Sequence, residues 1–265
     1  MPNNYSLEKF WRVNWIGLYT FVSREVGRMF RVWIQVLVAP WSSALLYIFI
    51  FGRIVGARIG LIENVAYIDF VLPGLVMLNL INSSFMHSSS SLYFMRFVKH
   101  IEELLVAPLS YLEMIAGFVI GGIIRGLVVG LGVYALALLF TTATIEHFLL
   151  FVFYSVSISV VFALLGMLVG LWAKNFEQLS LPSIFLITPL TFLGGMFNSI
   201  TMMPEKLQFL MRLNPFFYFV DGLRYSMLGI HESNLAIGLG LIVALVLGLG
   251  WLVWHLFKIG YKIRE

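Results

Sequence analysis

Of 265 residues, 60% are apolar and 11% are charged, with a mean hydropathy of +0.95; a soluble domain carries about 25% charged residues and about 45–50% apolar ones. A chain of this size cannot hide so much apolar surface in one core, so a soluble globular domain is excluded, and disorder is excluded because it needs low hydrophobicity. The sequence has no cysteine, which excludes disulfides, thiolate metal sites and cysteine nucleophiles; its net charge of +4 reads as basic flanks of membrane spans, with no nucleic-acid partner.

Residues 1–33 have the pattern of an amphipathic helix. Leu7, Trp11, Trp15, Leu18, Val22, Val26, Met29 and Trp33 recur at spacings of three or four, and Lys9, Arg12, Arg24, Arg28 and Arg31 fall outside that stripe. A basic helix with tryptophans on one side is expected to lie in the membrane interface; the other reading is a soluble helix packed on a partner. Glu25 falls on the apolar side with no partner in view. No cleavable signal peptide is expected, because no short basic stretch is followed at once by an apolar core.

Six stretches approach the roughly 20 apolar residues that a spanning helix needs. They are Ile34 to Phe51, Phe70 to Met95, Met114 to Phe140, Phe148 to Ala173, Leu179 to about Met202, and Leu235 to Phe257. The expected fold is therefore an all-α membrane protein, with a six-span domain over residues 34–257 and a basic tail over 258–265. Lys and Arg set the orientation. Eleven lie on the side that carries both termini: five before residue 34, then Arg96, Lys99, Lys174, Lys258, Lys262 and Arg264. Five lie opposite: Arg53, Arg58, Lys206, Arg212 and Arg224. Both termini are expected to be cytoplasmic. Residues 199–234 contain Pro204, Pro215 and Gly222 among six aromatic residues. They are too broken for a span and too aromatic for a solvated loop, so short helices dipping into the outer leaflet are expected.

Enzyme chemistry finds no support. The sequence contains no G-x-x-x-x-G-K-[ST], no H-E-x-x-H and no G-x-S-x-G. His87 and Ser88 are adjacent, and neighbours in a helix point about 100° apart, which is no catalytic pair. What remains is transport-like. Asn79, Ser83, His87 and Ser90 share one face of the second span. Such a face must meet another helix or a wet cavity, and the pattern allows both. Gly117, Gly121, Gly122, Gly126 and Gly130 in the third span, and Gly166 and Gly170 in the fourth, mark close helix packing. Arg125 interrupts the third span at a cost of roughly 2.5–3.5 kcal/mol, with Asp69 or Asp221 as candidate partners. Between the second and third spans runs RFVKHIEELLVAP, residues 96–108. Phe97, Ile101, Leu104 and Leu105 have helical spacing, and Pro108 ends the helix. Glu102 and Glu103 favour a soluble partner over anionic lipid.

The stretch Ile101-Glu-Glu-Leu-Leu-Val-Ala-Pro108 resembles the cytoplasmic coupling helix of type-2 ATP-binding-cassette exporter permeases. Leu181-Pro-Ser and Thr188-Pro-Leu-Thr-Phe-Leu-Gly-Gly-Met-Phe-Asn198 resemble that family's fifth span. Met203-Pro-Glu and Leu213-Asn-Pro-Phe with Asp221-Gly-Leu-Arg224 resemble its outer re-entrant segment. The order matches along nearly the whole chain, most closely that of the YadH-type inner-membrane transport permeases, with nodulation-factor and capsule exporters more distant. The resemblance implies half of an exporter in the inner membrane, surrounded by lipid. Two permease copies would form the path, and two separate ABC ATPase subunits would bind ATP and Mg, leaving no cofactor in this chain. Arg96, Lys99, Ile101, Glu102, Glu103, Leu104 and Leu105 would form the docking helix. Asn79, Ser83 and His87 would face the path, with Phe192 and Phe197 as outer constrictions. The cargo implied is amphiphilic, lipid-like, drug-like or a glycan; few charges along the path lean toward the first two. A stand-alone secondary transporter would need intramembrane acids, yet Asp69 and Glu113 sit only at span edges. A membrane scaffold would not need the docking helix.

Overall fold

The computed structural model describes residues 13–62 and 64–263. Leu7, Lys9, Trp11, Arg12 and Arg264 lie outside the described residues. The regular structure of the described residues is helical except for one short hairpin. In order come α1 (Trp15–Arg31), α2 (Ile34–Ile59), the hairpin of Leu61–Ile62 with Val65–Ala66, α3 (Tyr67–Phe97) and the short α4 (Ile101–Val106). Then come α5 (Tyr111–Ala137), α6 (Phe148–Trp172), α7 (Glu177–Met196), a 3-10 turn at Ile200–Met202, α8 (Glu205–Leu213), α9 (Pro215–Leu228) and α10 (Leu235–Ile259).

Six of these helices, α2, α3, α5, α6, α7 and α10, are long and apolar enough to cross a membrane. They match the six expected spans with shifted ends. The first continues past Phe51 to Ile59, and the third stops at Ala137. The fifth stops at Met196, short of Met202, because Gly195 takes φ +83° and breaks the helix. Prolines shape the same helices from within. Pro40, Pro182 and Pro189 lie in or beside π-type turns at Ile34–Val38, Ser183–Ile187 and Phe192–Met196. A proline offers no N–H and crowds the preceding turn, and a widened turn relieves both problems.

The bundle is built around α3. In its most apolar stretch 78% of residues are buried, against 22% for α2 and 17% for α10. Glycines let its neighbours close on it. A Cβ at Gly122 of α5 would lie 2.8 Å from Ser88 Oγ, and one at Gly170 of α6 would lie 2.8 Å from the Ser89 carbonyl. One at Gly126 would strike Ser84 Oγ, and one at Gly166 the Phe85 carbonyl. The two glycine stripes are therefore jaws on a single post. Val76, Leu80, Phe85, Phe162, Phe219 and Met227 fill the core around it.

Both ends of the described chain gather beside α4. The backbone N–H of Asn14 donates to Glu113 Oε1 (2.5 Å), and its Nδ2 donates to the Pro108 carbonyl (3.1 Å). At the other terminus Arg96 Nε donates to the Lys262 carbonyl (2.6 Å), and Lys262 Nζ donates to the Trp172 carbonyl (3.1 Å). The hairpin marks the opposite end of the bundle.

Candidate functional site

The polar residues of α3 part into two sets. Asn79, Asn82, Met86 and Ser90 are half-buried on the side away from α5 and α6. Asn82 Oδ1 accepts from Ser183 Oγ of α7 (2.5 Å), which joins the second and fifth spans through polar groups. Ser83 and His87 are buried within the protomer, 5% and 1% exposed, so they do not share an open face with Asn79. The sequence pattern grouped them because spacings of three and four drift around the helix. A face of α3 turns from one neighbour to the next along its length.

His87 meets Glu25. Its Nε2 lies 3.3 Å from Glu25 Oε2, while Ser91 Oγ donates to the same oxygen (2.5 Å) and Arg28 Nη2 donates to it at 2.9 Å. Burial works to raise the Glu25 carboxyl; the His87 contact and the Arg28 charge outweigh it and hold it below the usual carboxylate range. Glu25 thus has the partners the sequence left unassigned. It belongs to the line Phe21, Glu25, Met29, the buried side of α1. Among the described residues of the predicted apolar stripe only Met29 is buried; Leu18, Val22 and Val26 are half-buried, and Trp15 and Trp33 are 71% and 52% exposed. The helix packs on the protein with one side and leaves Trp15 exposed at its start.

Phe192 is exposed near the end of α7, and Phe197 is half-buried just beyond it. Phe197 stacks on Phe51 of the first span at 4.1 Å between ring centroids and lies 5.3 Å from Phe192. The two phenylalanines are therefore one aromatic cluster, closed on one side by the first span.

Lys99 takes φ +60° and turns the chain from α3 into α4. Ile101 and Leu104 face inward and are buried, Leu105 is half-buried, and Lys99, Glu102 and Glu103 are exposed. Arg96 faces inward as well: Nη1 donates to the Gly170 and Leu171 carbonyls (2.7 and 2.8 Å), capping the end of α6. Of the predicted docking residues, Arg96, Ile101 and Leu104 hold the corner in place, and Lys99, Glu102, Glu103 and part of Leu105 are offered outward beside the exposed His100 and Val106. A cleft of about 400 Å³ opens next to them, lined by Tyr93, Lys99, Glu102, Lys174 and Lys262 among others.

Arg125 pairs with neither expected acid. Asp69 accepts from Thr141 Oγ1. Asp221 accepts from the Glu232 and Ser233 amides (2.8 and 2.9 Å) and from Ser233 Oγ (2.6 Å). Arg125 Nε has no hydrogen-bond partner among the described residues. Asp221 instead belongs to a knot that the sequence did not reveal. Arg224, fully buried, donates to the Gly195 carbonyl (2.6 Å), pairs with Glu232 at 3.2 Å, and lies 3.8 Å over the Phe70 ring. Glu232 also accepts from Ser199 Oγ and from the Ile200 amide (3.0 Å). Burial raises its carboxyl above the usual range, against the pull of Ser199 and Arg224. The knot pins the end of α7 and α9 to the start of α3. Among the described residues no group of three or more His, Asp and Glu is placed to hold a metal.

A six-span bundle with a polar central helix, a short acidic helix at one end and a buried knot at the other is the architecture of a multi-pass membrane protein. The chain belongs to the ABC-2 type transporter family, which it matches over residues 17–228. It is similar to the inner membrane transport permease YadH of Escherichia coli strain K12, 38% identical over 251 residues that cover 95% of this chain and 98% of that protein. Nodulation protein J of Rhizobium meliloti is 24% identical over 226 residues, 82% of each chain. Nodulation protein J of Neorhizobium galegae is 23% identical over 237 residues, 86% of each. The six apolar helices and the inner-membrane relative support a multi-pass inner-membrane permease, a transport subunit and not an enzyme. Family membership implies an ABC ATPase as partner.

Proposed function

We propose that this chain is the permease half of an ATP-driven exporter, working as a homodimer on two separate ABC ATPase subunits that bind ATP and Mg. Both termini and α4 face the cytoplasm. α4 is the coupling helix, and its exposed Lys99, Glu102, Glu103 and Leu105 dock into the ATPase, while Arg96, Ile101 and Leu104 brace it from behind. α1 lies at the inner membrane interface. Residues 199–234 form the re-entrant segment of the outer leaflet.

The path runs between the two copies, lined by α3 and α7. Asn79 and Asn82 with Ser183 supply its polar wall, and the Phe192–Phe197 cluster constricts its outer end. Ser83 and His87 act from behind that wall. With few charges and many aromatic residues along it, the path suits an amphiphilic or lipid-like cargo; drug-like molecules and glycans are weaker fits.

The observation that carries this reading is α4 itself, a helix of six residues with two buried apolar anchors and two exposed glutamates at the corner between two spans. Anionic lipid would repel these two glutamates, and a soluble partner would not. The experiment is charge reversal at Glu102→Lys with Glu103→Lys. The expected result is a permease that still inserts and folds but loses co-purification with its ATPase; unchanged co-purification would refute the docking assignment.

A further inference from the structure

We propose that α1 is a lever on the second span and that Glu25 is its positioning residue, acting on His87 and Ser91; this rests on the exporter reading. α1 is fastened by polar contacts at two places. At its start Asn14 is tied to Pro108 and Glu113, the corner that follows α4. Three turns later the Glu25 carboxylate accepts from Ser91 Oγ at 2.5 Å and from Arg28 Nη2 at 2.9 Å, and His87 Nε2 lies within ion-pair distance at 3.3 Å. Between the two places Phe21 meets Phe118 edge-on at 5.0 Å.

The second fastening is unlike a packing contact. Glu25, His87 and Ser91 are each 1% exposed or less. Apolar surfaces slide at little cost, but a buried carboxylate that loses its partners is left uncompensated. These groups therefore move together. Gly121 supplies the room: a Cβ there would lie 2.6 Å from His87 Nε2 and 3.3 Å from Glu25 Cβ. The linkage runs from the docking corner, along α1, to the buried side of α3. The other side of α3 carries Asn79 and Asn82. A displacement of the corner is passed to the path wall from behind, at His87 and Ser91 inside the helix, where α4 alone would act only at the end of α3.

The chain has no cysteine, so Ser90→Cys gives one spin-label site on α3 in each protomer of the assembled complex. Pulsed electron resonance measures the distance between the two labels without nucleotide and with ATP trapped. The expected result is a nucleotide-driven shift that falls to half or less in Glu25→Gln and His87→Gln, while ATPase binding and hydrolysis persist, and that Glu25→Asp largely restores. An unchanged shift in Glu25→Gln would overturn the lever. Should Glu25→Gln fail to fold, Ser91→Ala removes one hydroxyl and is read in the same way. A wild-type chain that binds no ATPase counts against the exporter reading alone. The clasp is then tested on the isolated permease: Glu25→Gln with His87→Gln should lose no more thermal stability than the worse single variant, and fully additive losses would overturn it.

Discussion

Arg224 is sealed inside the protein. Its guanidinium is divided among the Gly195 carbonyl, Glu232 and the face of Phe70. Arg224→Met would leave Glu232 buried with its main counter-charge gone, a change of the kind that costs about 3–5 kcal/mol. Thermal unfolding in detergent should show a large loss, and a loss under about 1 kcal/mol would mean the knot is dispensable. Glu25 gives a pH test. Its folded carboxyl is held below the ordinary value of 4.5, so its stabilisation is present above that value and is lost as pH falls through the lowered one. Glu25→Gln should flatten the acid side of the stability profile and lower the neutral plateau. Neither group was legible in the sequence as a partner. Periodicity reports which side of its own helix a residue takes, and the partners of Glu25 and Arg224 lie on other elements. An acid on an apolar stripe is nevertheless a signal: it marks a place where the stripe meets a polar neighbour.

At the scale of elements, the glycine stripes separate two kinds of position that look alike in sequence. Gly166 sits against the Phe85 carbonyl and 3.1 Å, by its missing Cβ, from the Ser89 amide nitrogen. Backbone cannot step aside, so Gly166→Ala should destabilise by about 1–3 kcal/mol. Gly130 has nothing nearer than 3.6 Å. Gly130→Ala should be neutral or should stabilise by about 0.5–1 kcal/mol through the helix preference of alanine. Melting temperatures of the two variants in one detergent check both, and equal effects would show that the stripe does not grip α3. The six spans themselves were legible because unbroken apolar runs have no other use at this length. Their ends were less so. The fifth ends at Gly195 because of one backbone angle, while the apolar residues beyond it run on to Met202. Residues 199–234 were legible as irregular, but α9 is so deeply buried because Asp221 and Arg224 are satisfied inside the protein, which composition alone cannot reveal.

For the whole molecule, the packing leaves α2, α7 and α10 with large apolar faces. Phe185 of α7 is 75% exposed, Leu247 of α10 67% and Leu46 of α2 60%. In the proposed dimer, lipid and the second copy divide these faces between them, with α7 nearest the shared path. Orientation has a direct check. Single cysteines at Ser110 and Gln208 should differ toward a membrane-impermeant thiol reagent in intact spheroplasts, with Gln208→Cys labelled and Ser110→Cys protected until the membrane is opened. The reverse pattern would invert the topology and remove α4 from the reach of a cytoplasmic partner. Everything proposed for the bundle depends on its being driven by an ATPase seated on α4. The decisive experiment is co-purification of tagged permease with a co-expressed ABC ATPase, followed by mass determination and ATP hydrolysis in lipid. Two permeases with two ATPases, and hydrolysis in the assembled complex, are expected. A permease that purifies without the co-expressed ATPase would contradict that arrangement.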